Sequence, residues 1–346
     1  MISLCVIGKN NEKTIGACIS SVKPLVSEII YVDTGSIDNT KKIAASFGAK
    51  IFDFTWNDNY SDAKNASYAR ATQPWILSLD TDEVIALKDL QKIKNLVLEG
   101  DHEGYFLIQR NYTNKVGSFS WTSCKDDIYQ ESKISHGFVP RMMVRLFRND
   151  PHIRAEGVAH DSVIPAIARI NGKIKNTEIV IHHFGSLNHD AAHVQRYIDI
   201  EKRNIKNDFY QEYQIASQYH TLEKLNEAVE HLAKSLQLNP NFALTYLELA
   251  LIGMKRGKIS ESKPLIVESL RLEEREMAWS TLGIVEVFEK NFEKAIECFN
   301  KAISMNLKNA DHYFNLSQVL KETGKMKESK EALDKAIYLN PAYAKK

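Results

Sequence analysis

The chain has 346 residues, 44% hydrophobic and 26% charged, and its 45 basic and 44 acidic residues leave a net charge of +1. That length suggests two domains, and the even balance excludes a bulk field that would draw the chain to nucleic acid or to an anionic membrane. Cys5, Cys18, Cys124 and Cys298 lack C-x-x-C spacing, which argues against a zinc site or a disulfide framework and fits a reducing compartment.

The first ten residues, Met1 to Asn10, carry neither a basic leader nor a long apolar core. No stretch approaches the roughly 18 apolar residues of a membrane span. The expectation is a soluble cytoplasmic protein whose first strand begins almost at residue 1. Residues 2–7 read as a short apolar strand. Thr14 to Ser21 continue as a helix, with Ile15, Cys18, Ile19 and Val22 at helical spacing. Residues 28–33 form a second buried strand, and Asp33 to Thr40 a polar turn into a helix over 39–47. Residues 49–54 read as a third strand, 62–71 as a helix, and 75–80 as a fourth strand ending in Asp80-Thr81-Asp82-Glu83. This alternation implies a Rossmann-like α/β domain with a mainly parallel sheet, whose ligands sit at the carboxyl ends of the strands. The acidic turns fall at those ends.

Residues 109–137, with Tyr112, Phe119 and Trp121, are too irregular to assign and read as a mobile loop over an acceptor. Glu178 to Gly185 reads as a strand ending in His182 and His183. His189 and His193 have the i, i+4 spacing of a helical metal pair, but Asp190-Ala-Ala between them lacks the glutamate of a zinc-protease helix.

The last third repeats. Ala228, Ser262, Ala295 and Ser329 are spaced 34, 33 and 34 residues apart, and Ser235, Ser269, Ala302 and Ala336 keep the same period. Tyr246, Trp279 and Tyr313 recur as aromatics, and Gly257 and Gly324 fall where two helices of a unit would turn. This pattern resembles the tetratricopeptide repeat, a 34-residue helix-turn-helix. Four units are expected, roughly 209–242, 243–275, 276–309 and 310–343. The second is irregular, with Pro264 inside its second helix and one residue missing. The division is therefore 1–205 for the α/β domain and 206–346 for an all-α repeat domain. Such arrays present a concave surface for a peptide or protein; they also serve as homo-oligomer interfaces or as buttresses.

The first half resembles the family 2 glycosyltransferases of GT-A fold. The residues that carry the likeness are Cys5-Val-Ile-Gly-Lys-Asn10, Tyr31-Val-Asp-Thr-Gly-Ser36 with Asp38 and Thr40, Asp62-Ala-Lys-Asn65, and Leu79-Asp-Thr-Asp-Glu83. The match is specific over residues 1–85 and looser to about 205. With the repeats, the chain looks like the group that includes the sublancin-type peptide S-glycosyltransferases.

That resemblance implies an inverting transfer from a nucleotide-sugar, a UDP-hexose or UDP-N-acetylhexosamine before a GDP-sugar. Asp80-Thr81-Asp82 would be the Asp-x-Asp motif, with Asp82 binding Mn²⁺ or Mg²⁺ and Asp80 holding ribose or sugar. A hard cation there neutralises the departing diphosphate. The family's late histidine ligand maps to His183, preferred over His182 by the match to His-x-Gly. Asp33 takes the place that hydrogen-bonds the nucleobase. Lys64 replaces the usual arginine facing the nucleotide, keeping charge but losing the bidentate fork. Asn10 matches, whereas Asn11 stands for the usual glutamate and Glu12 lies one position late, leaving open which side chain meets the base. Gly157-Val-Ala-His160-Asp161 resembles the group's Gly-x-x-His-Glu. An inverting transfer needs one general base, for which Asp161 is the candidate, with His160 and Glu156 as rivals. Lys202 and Arg203 match a basic pair that would face the diphosphate, or form a solvated face. A peptide or protein acceptor is expected from the repeats; glycan or lipopolysaccharide assembly is the alternative. A repeat scaffold with an inactive transferase domain is the reading from another class, against which Asp80, Asp82 and His183 speak. A nucleotidyltransferase would need a Gly-rich phosphate loop that Gly8-Lys9-Asn10-Asn11 does not match.

Overall fold

The structure, a computed structural model, describes residues 1–114, 120–185 and 191–345, apart from the side chains of His193 and Lys345. Phe119 and His189 lie outside the described residues, as does the His193 side chain. Two compact units emerge. One comprises Met1–Tyr112, Tyr129–Glu131 and Pro140–Asn188; the other comprises Thr113–Ile128, Ser132–Val139 and His189–Lys346.

The first unit begins β1 (Ile2–Gly8), α1 (Ile15–Val22), β2 (Glu28–Asp33), α2 (Thr40–Ser46), β3 (Lys50–Asp53), α3 (Tyr60–Tyr68) and β4 (Trp75–Asp80). It continues through β5 (Glu83–Ile85), α4 (Leu87–Glu99) and β6 (Gly104–Thr113). After the short β7 (Thr122–Ser123) of the other unit, it resumes at Pro140 within β8 (Gly137–Arg148), followed by α5 (Ile164–Arg169) and β9 (Ile174–His183). Along β1, Leu4 and Val6 pack with Ile15, Cys18, Ile19 and Val22 of α1, while Cys5 and Ile7 pack with Ala63 and Tyr68 of α3. Helices cover both faces, which is why the inner strands read as continuous apolar runs.

Pairing of β1 with β2 and β4, and of β2 with β3, is parallel, as the strand–helix alternation implies. Beyond β4 the sheet turns mixed, in the order β3-β2-β1-β4-β8-β6-β9-β5, with β4–β8 and β5–β9 antiparallel. β5 follows β4 through Thr81 and Asp82 with no crossover helix between them, and lies at the far edge of the sheet against β9. Helix α3 starts at Tyr60 rather than 62, because the Asn59 side chain accepts the Asp62 N–H and caps it.

The second unit holds α6 (Ala191–Arg203), followed by α7 (Phe209–Thr221), α8 (Leu225–Leu238), α9 (Ala243–Lys255) and α10 (Lys263–Leu272). The array ends with α11 (Glu276–Phe288), α12 (Phe292–Met305), α13 (Ala310–Glu322) and α14 (Met326–Leu339). These eight helices from α7 onward are the four expected helix pairs. Ala228, Ala295, Ser235, Ser269, Ala302 and Ala336 are buried where paired helices approach. Gly283 admits no side chain, since a Cβ would lie 2.7 Å from the Phe299 ring. The turn inside each pair adopts a left-handed backbone at Glu223 (φ 60°), Gly257 (79°), Lys290 (63°) and Gly324 (76°). Two of the four turns thus carry a non-glycine residue in a conformation made for glycine.

Three expectations change. Pro264 sits in the first turn of α10, after a 3₁₀ turn over Ser260–Ser262, where its missing N–H costs nothing. The boundary at 205 moves upstream of α6, because Ile198 of that helix packs with Ile215, Ala216 and Leu232. Of the stretch read as a mobile acceptor loop, two described residues are packed: Tyr112 lies in β6 and is buried, and Trp121 lies fully buried among Ala310, Ala336, Leu339 and Tyr343. Ser123 donates from Oγ to the Leu339 carbonyl and from its backbone N–H to the Lys308 carbonyl, 2.9 Å for the latter. No helix among the described residues is long and apolar enough to cross a membrane.

Candidate active site

The carboxyl ends of the parallel strands carry the polar residues singled out in the sequence. β2 ends at Asp33, whose buried carboxylate closes its own turn by accepting the N–H groups of Gly35 (3.0 Å) and Ser36 (2.8 Å). The Tyr31 hydroxyl donates to it at 3.1 Å. Its pKa stays below the ordinary value: burial pushes it up, and the hydrogen bonds from Ser36 and Gly35 more than offset this. Asn10 and Glu12 join the turn after β1 to the turn after β2. Asn10 Oδ1 accepts the Ile37 N–H at 2.9 Å, and the Glu12 carboxylate accepts the Asn39 N–H and Nδ2 at 3.1 Å.

β4 ends at Asp80, where charges converge. Lys64 of α3 lies 3.1 Å from Asp80 Oδ1 and 3.0 Å from Asp161 Oδ2. Arg145 of β8 reaches Asp80 Oδ2 at 2.6 Å and Glu83 Oε1 at 3.3 Å. Glu83 also accepts the Asp80 N–H at 2.7 Å and a bond from Gln109. Burial alone would raise the Asp80 pKa, but Arg145 and then Lys64 hold it far below the carboxylate range. For Glu83 burial prevails over Arg145, with Asp80 adding to it, and its pKa rises.

Two residues after Asp80, Asp82 Oδ2 faces His183 Nε2 at 3.4 Å, and His183 Nδ1 pairs with Asn111 Oδ1 at 2.8 Å. Successive residues of a strand point to opposite faces. His182 therefore points away: it is fully buried, bonded through Nδ1 to the Tyr112 hydroxyl at 2.6 Å and edge-on to Tyr129. Gly185 keeps the space between Asp82 and His183 open, since a Cβ there would fall 2.0 Å from Asp82 Oδ2 and 2.8 Å from His183 Nε2.

Asp161 sits on a tight loop closed by reciprocal backbone bonds between Glu156 and Ser162, 2.9 and 2.8 Å. Gly157 makes the turn at φ 96°, where a Cβ would strike the His160 carbonyl at 2.5 Å. Asn65, beside Lys64, holds residue 155 through both its backbone groups. His160 is pushed down to about 4 by burial and by the Arg141 charge. Glu156 forms a bidentate ion pair with Arg169 at the surface, so the arrangement does not join it to the Asp80 cluster. Lys202 and Arg203 end α6 in the second unit, where Lys202 donates to the Tyr219 hydroxyl at 3.1 Å.

Arg145, Glu83, Gln109 and Asn111 were not among the residues expected at the site. Arg145 left a signal, a charge in the middle of the apolar run Val144-Arg-Leu-Phe147, and Glu83 directly follows the Asp-x-Asp turn.

Residues 3–157 match the family model "Glycosyl transferase family 2", and 213–242, 278–309 and 310–343 match "Tetratricopeptide repeat". A TPR repeat-containing protein of Synechococcus elongatus is 30% identical over 190 residues, 53% of this chain and 42% of that one. An uncharacterized glycosyltransferase of Rickettsia typhi is 32% identical over 108 residues, 31% of this chain and 37% of its own. The SPbeta prophage-derived glycosyltransferase SunS of Bacillus subtilis is 25% identical over 250 residues, 68% of this chain and 53% of its own. The chain spans about half the length, or less, of these curated relatives.

Proposed function

From a chain that joins a glycosyl transferase family 2 domain to tetratricopeptide repeats, we propose an inverting glycosyltransferase that moves a sugar from a UDP-sugar to a peptide or protein acceptor. The observation that carries this reading is the turn after β4. It pins Asp80 between two buried cations and sets Asp82 opposite His183 across a gap that Gly185 keeps open.

Among the described residues no cluster of three or more His, Cys, Asp or Glu side chains suits a metal. The pair Asp82 and His183 fits a cation that takes its remaining ligands from phosphate oxygens and water, as Mg²⁺ commonly does, and the open space at Gly185 supports this. In this reading the two residues hold Mn²⁺ or Mg²⁺, which when bound neutralises the departing diphosphate.

The chain's own residues do the rest. Asp80, held ionised, binds the ribose or sugar hydroxyls. Asp33 and the linked turns of Asn10 and Glu12 shape the nucleobase end. Asp161 takes the acceptor proton as the acceptor atom bonds to the anomeric carbon and the bond to the diphosphate breaks on the opposite face. A cytoplasmic location belongs to this reading and is supported by the four free thiols.

The test is diphosphate release from UDP-glucose, UDP-galactose, UDP-N-acetylglucosamine and GDP-mannose with Mn²⁺, alongside calorimetric binding of each. Metal-dependent release with one donor, lost in Asp82→Ala, is expected. If no donor binds even with metal, the reading fails and the repeat scaffold with an inactive transferase domain takes its place.

A further inference from the structure

Lys64 stands where the resemblance places a nucleotide-facing cation, yet its surroundings point elsewhere. Its side chain is 4% exposed, and its ammonium lies between two carboxylates, Asp80 at 3.1 Å and Asp161 at 3.0 Å. A phosphate reaching it would have to displace one of them. Seen along the cluster, charges alternate: Glu83, Arg145, Asp80, Lys64, Asp161. Arg145 fixes the donor turn from one side, and Lys64 joins that turn to the loop of Asp161 on the other.

The local fold supports a positioning task. The loop is tied to α3 at two consecutive residues, Asn65 through the backbone of Ala155 and Lys64 through the side chain of Asp161. The Tyr60 N–H adds a bond to the Val158 carbonyl at 2.8 Å. Within a loop closed at Glu156 and Ser162, the Lys64 bridge ties Asp161 to Asp80, which sets how far the carboxylate stands from the turn that would hold the sugar. An isolated buried charge is costly, so the lysine and its two carboxylates hold one another in place.

We infer that Lys64 is a positioning residue: it fixes the Asp161 carboxylate against Asp80 and does not itself bind the nucleotide. This rests on the proposed transferase reading, and specifically on Asp161 as the base.

The test pairs calorimetric binding of UDP with Mn²⁺ and steady-state UDP release from the fastest of the four donors. Wild-type protein that binds no UDP refutes the transferase reading itself and is recognised before any variant is made. Given binding, Lys64→Met is expected to keep UDP affinity and donor KM near wild type while kcat falls about 100-fold, the effect of a reacting group misplaced by about 1 Å. Lys64→Arg, which keeps the charge and can reach both carboxylates, is expected to return kcat to within about tenfold of wild type, short of it because a guanidinium is larger. Where Lys64→Met does not fold, Lys64→Arg alone decides: a lower kcat with unchanged UDP affinity supports the inference. Weakened UDP binding in either variant, or an unchanged kcat in Lys64→Met, overturns it.

Discussion

Adding one methyl group, Gly185→Ala, tests the candidate metal pair most sharply. The backbone at Gly185 lies outside the left-handed region, so alanine brings no conformational strain of its own. Its Cβ would sit 2.0 Å from Asp82 Oδ2 and 2.8 Å from His183 Nε2. Ordinary contact begins near 3.4 Å, so the carboxylate must retreat by more than an ångström while the imidazole also gives way. Both groups end their chains at the site rather than in the core, so the fold should tolerate the shift. Their mutual geometry, which a divalent cation needs, should not. Disturbing the support of a metal ligand typically costs about 10–100-fold in affinity or activity, and that range is expected here. The assay is Mn²⁺ titration of UDP binding by calorimetry, with circular dichroism confirming the fold. A variant that binds UDP and Mn²⁺ like wild type would refute the assignment of Asp82 and His183 as ligands.

Other expectations concern neighbouring features. His160 keeps its ring neutral down to about 4, against an ordinary value of 6.5. The unfolded chain takes up a proton that the folded one refuses, so this part of stability is full above 6.5 and fades as pH falls toward 4; denaturant midpoints across that window should lose part of their slope in His160→Gln. Arg145→Met removes the cation whose Nη2 meets both Asp80 and Glu83, and should raise donor KM more than it lowers kcat in the release assay. Lys290→Gly relieves a left-handed backbone at φ 63°, whose cost is about 1 kcal/mol, and a higher melting temperature of the repeat unit would register it. Trp121→Ala should destabilise that unit by about 3–5 kcal/mol, visible as faster hydrogen exchange in α14.

Much of the fold was readable because its causes are local. The parallel half showed itself in apolar runs bounded by acidic turns, since strands covered on both faces need no polar alternation. The repeats showed themselves because close helix approach demands small residues at a fixed period. The motif preferred His183 to His182 as the site histidine; in the fold, strand alternation turns His183 toward Asp82 and His182 into the interior. What escaped depends on residues distant in sequence. Arg145 meets Asp80 across 65 residues, and nothing near it announces that partner. That the Asn10 and Glu12 side chains join two turns across 27 residues left no sign in the sequence either. The packing of Trp121 is the extreme case: an aromatic in an irregular polar stretch carries no local sign that its cover is the last helix pair.

That packing also orders events in time. Ser123 bonds to Leu339 across 216 residues. A ribosome adding roughly 5–20 residues per second must therefore work on the order of 10–40 s after making the Trp121 segment before α14 exists to receive it. During that interval the indole has Gly137 and the Thr113 carbonyl beside it but lacks Ala336, Leu339 and Tyr343. A fragment ending at residue 205 would carry the Trp121 segment of the second unit without Ala310, Ala336, Leu339 and Tyr343, which pack on it, so that stretch would have no way to complete its packing.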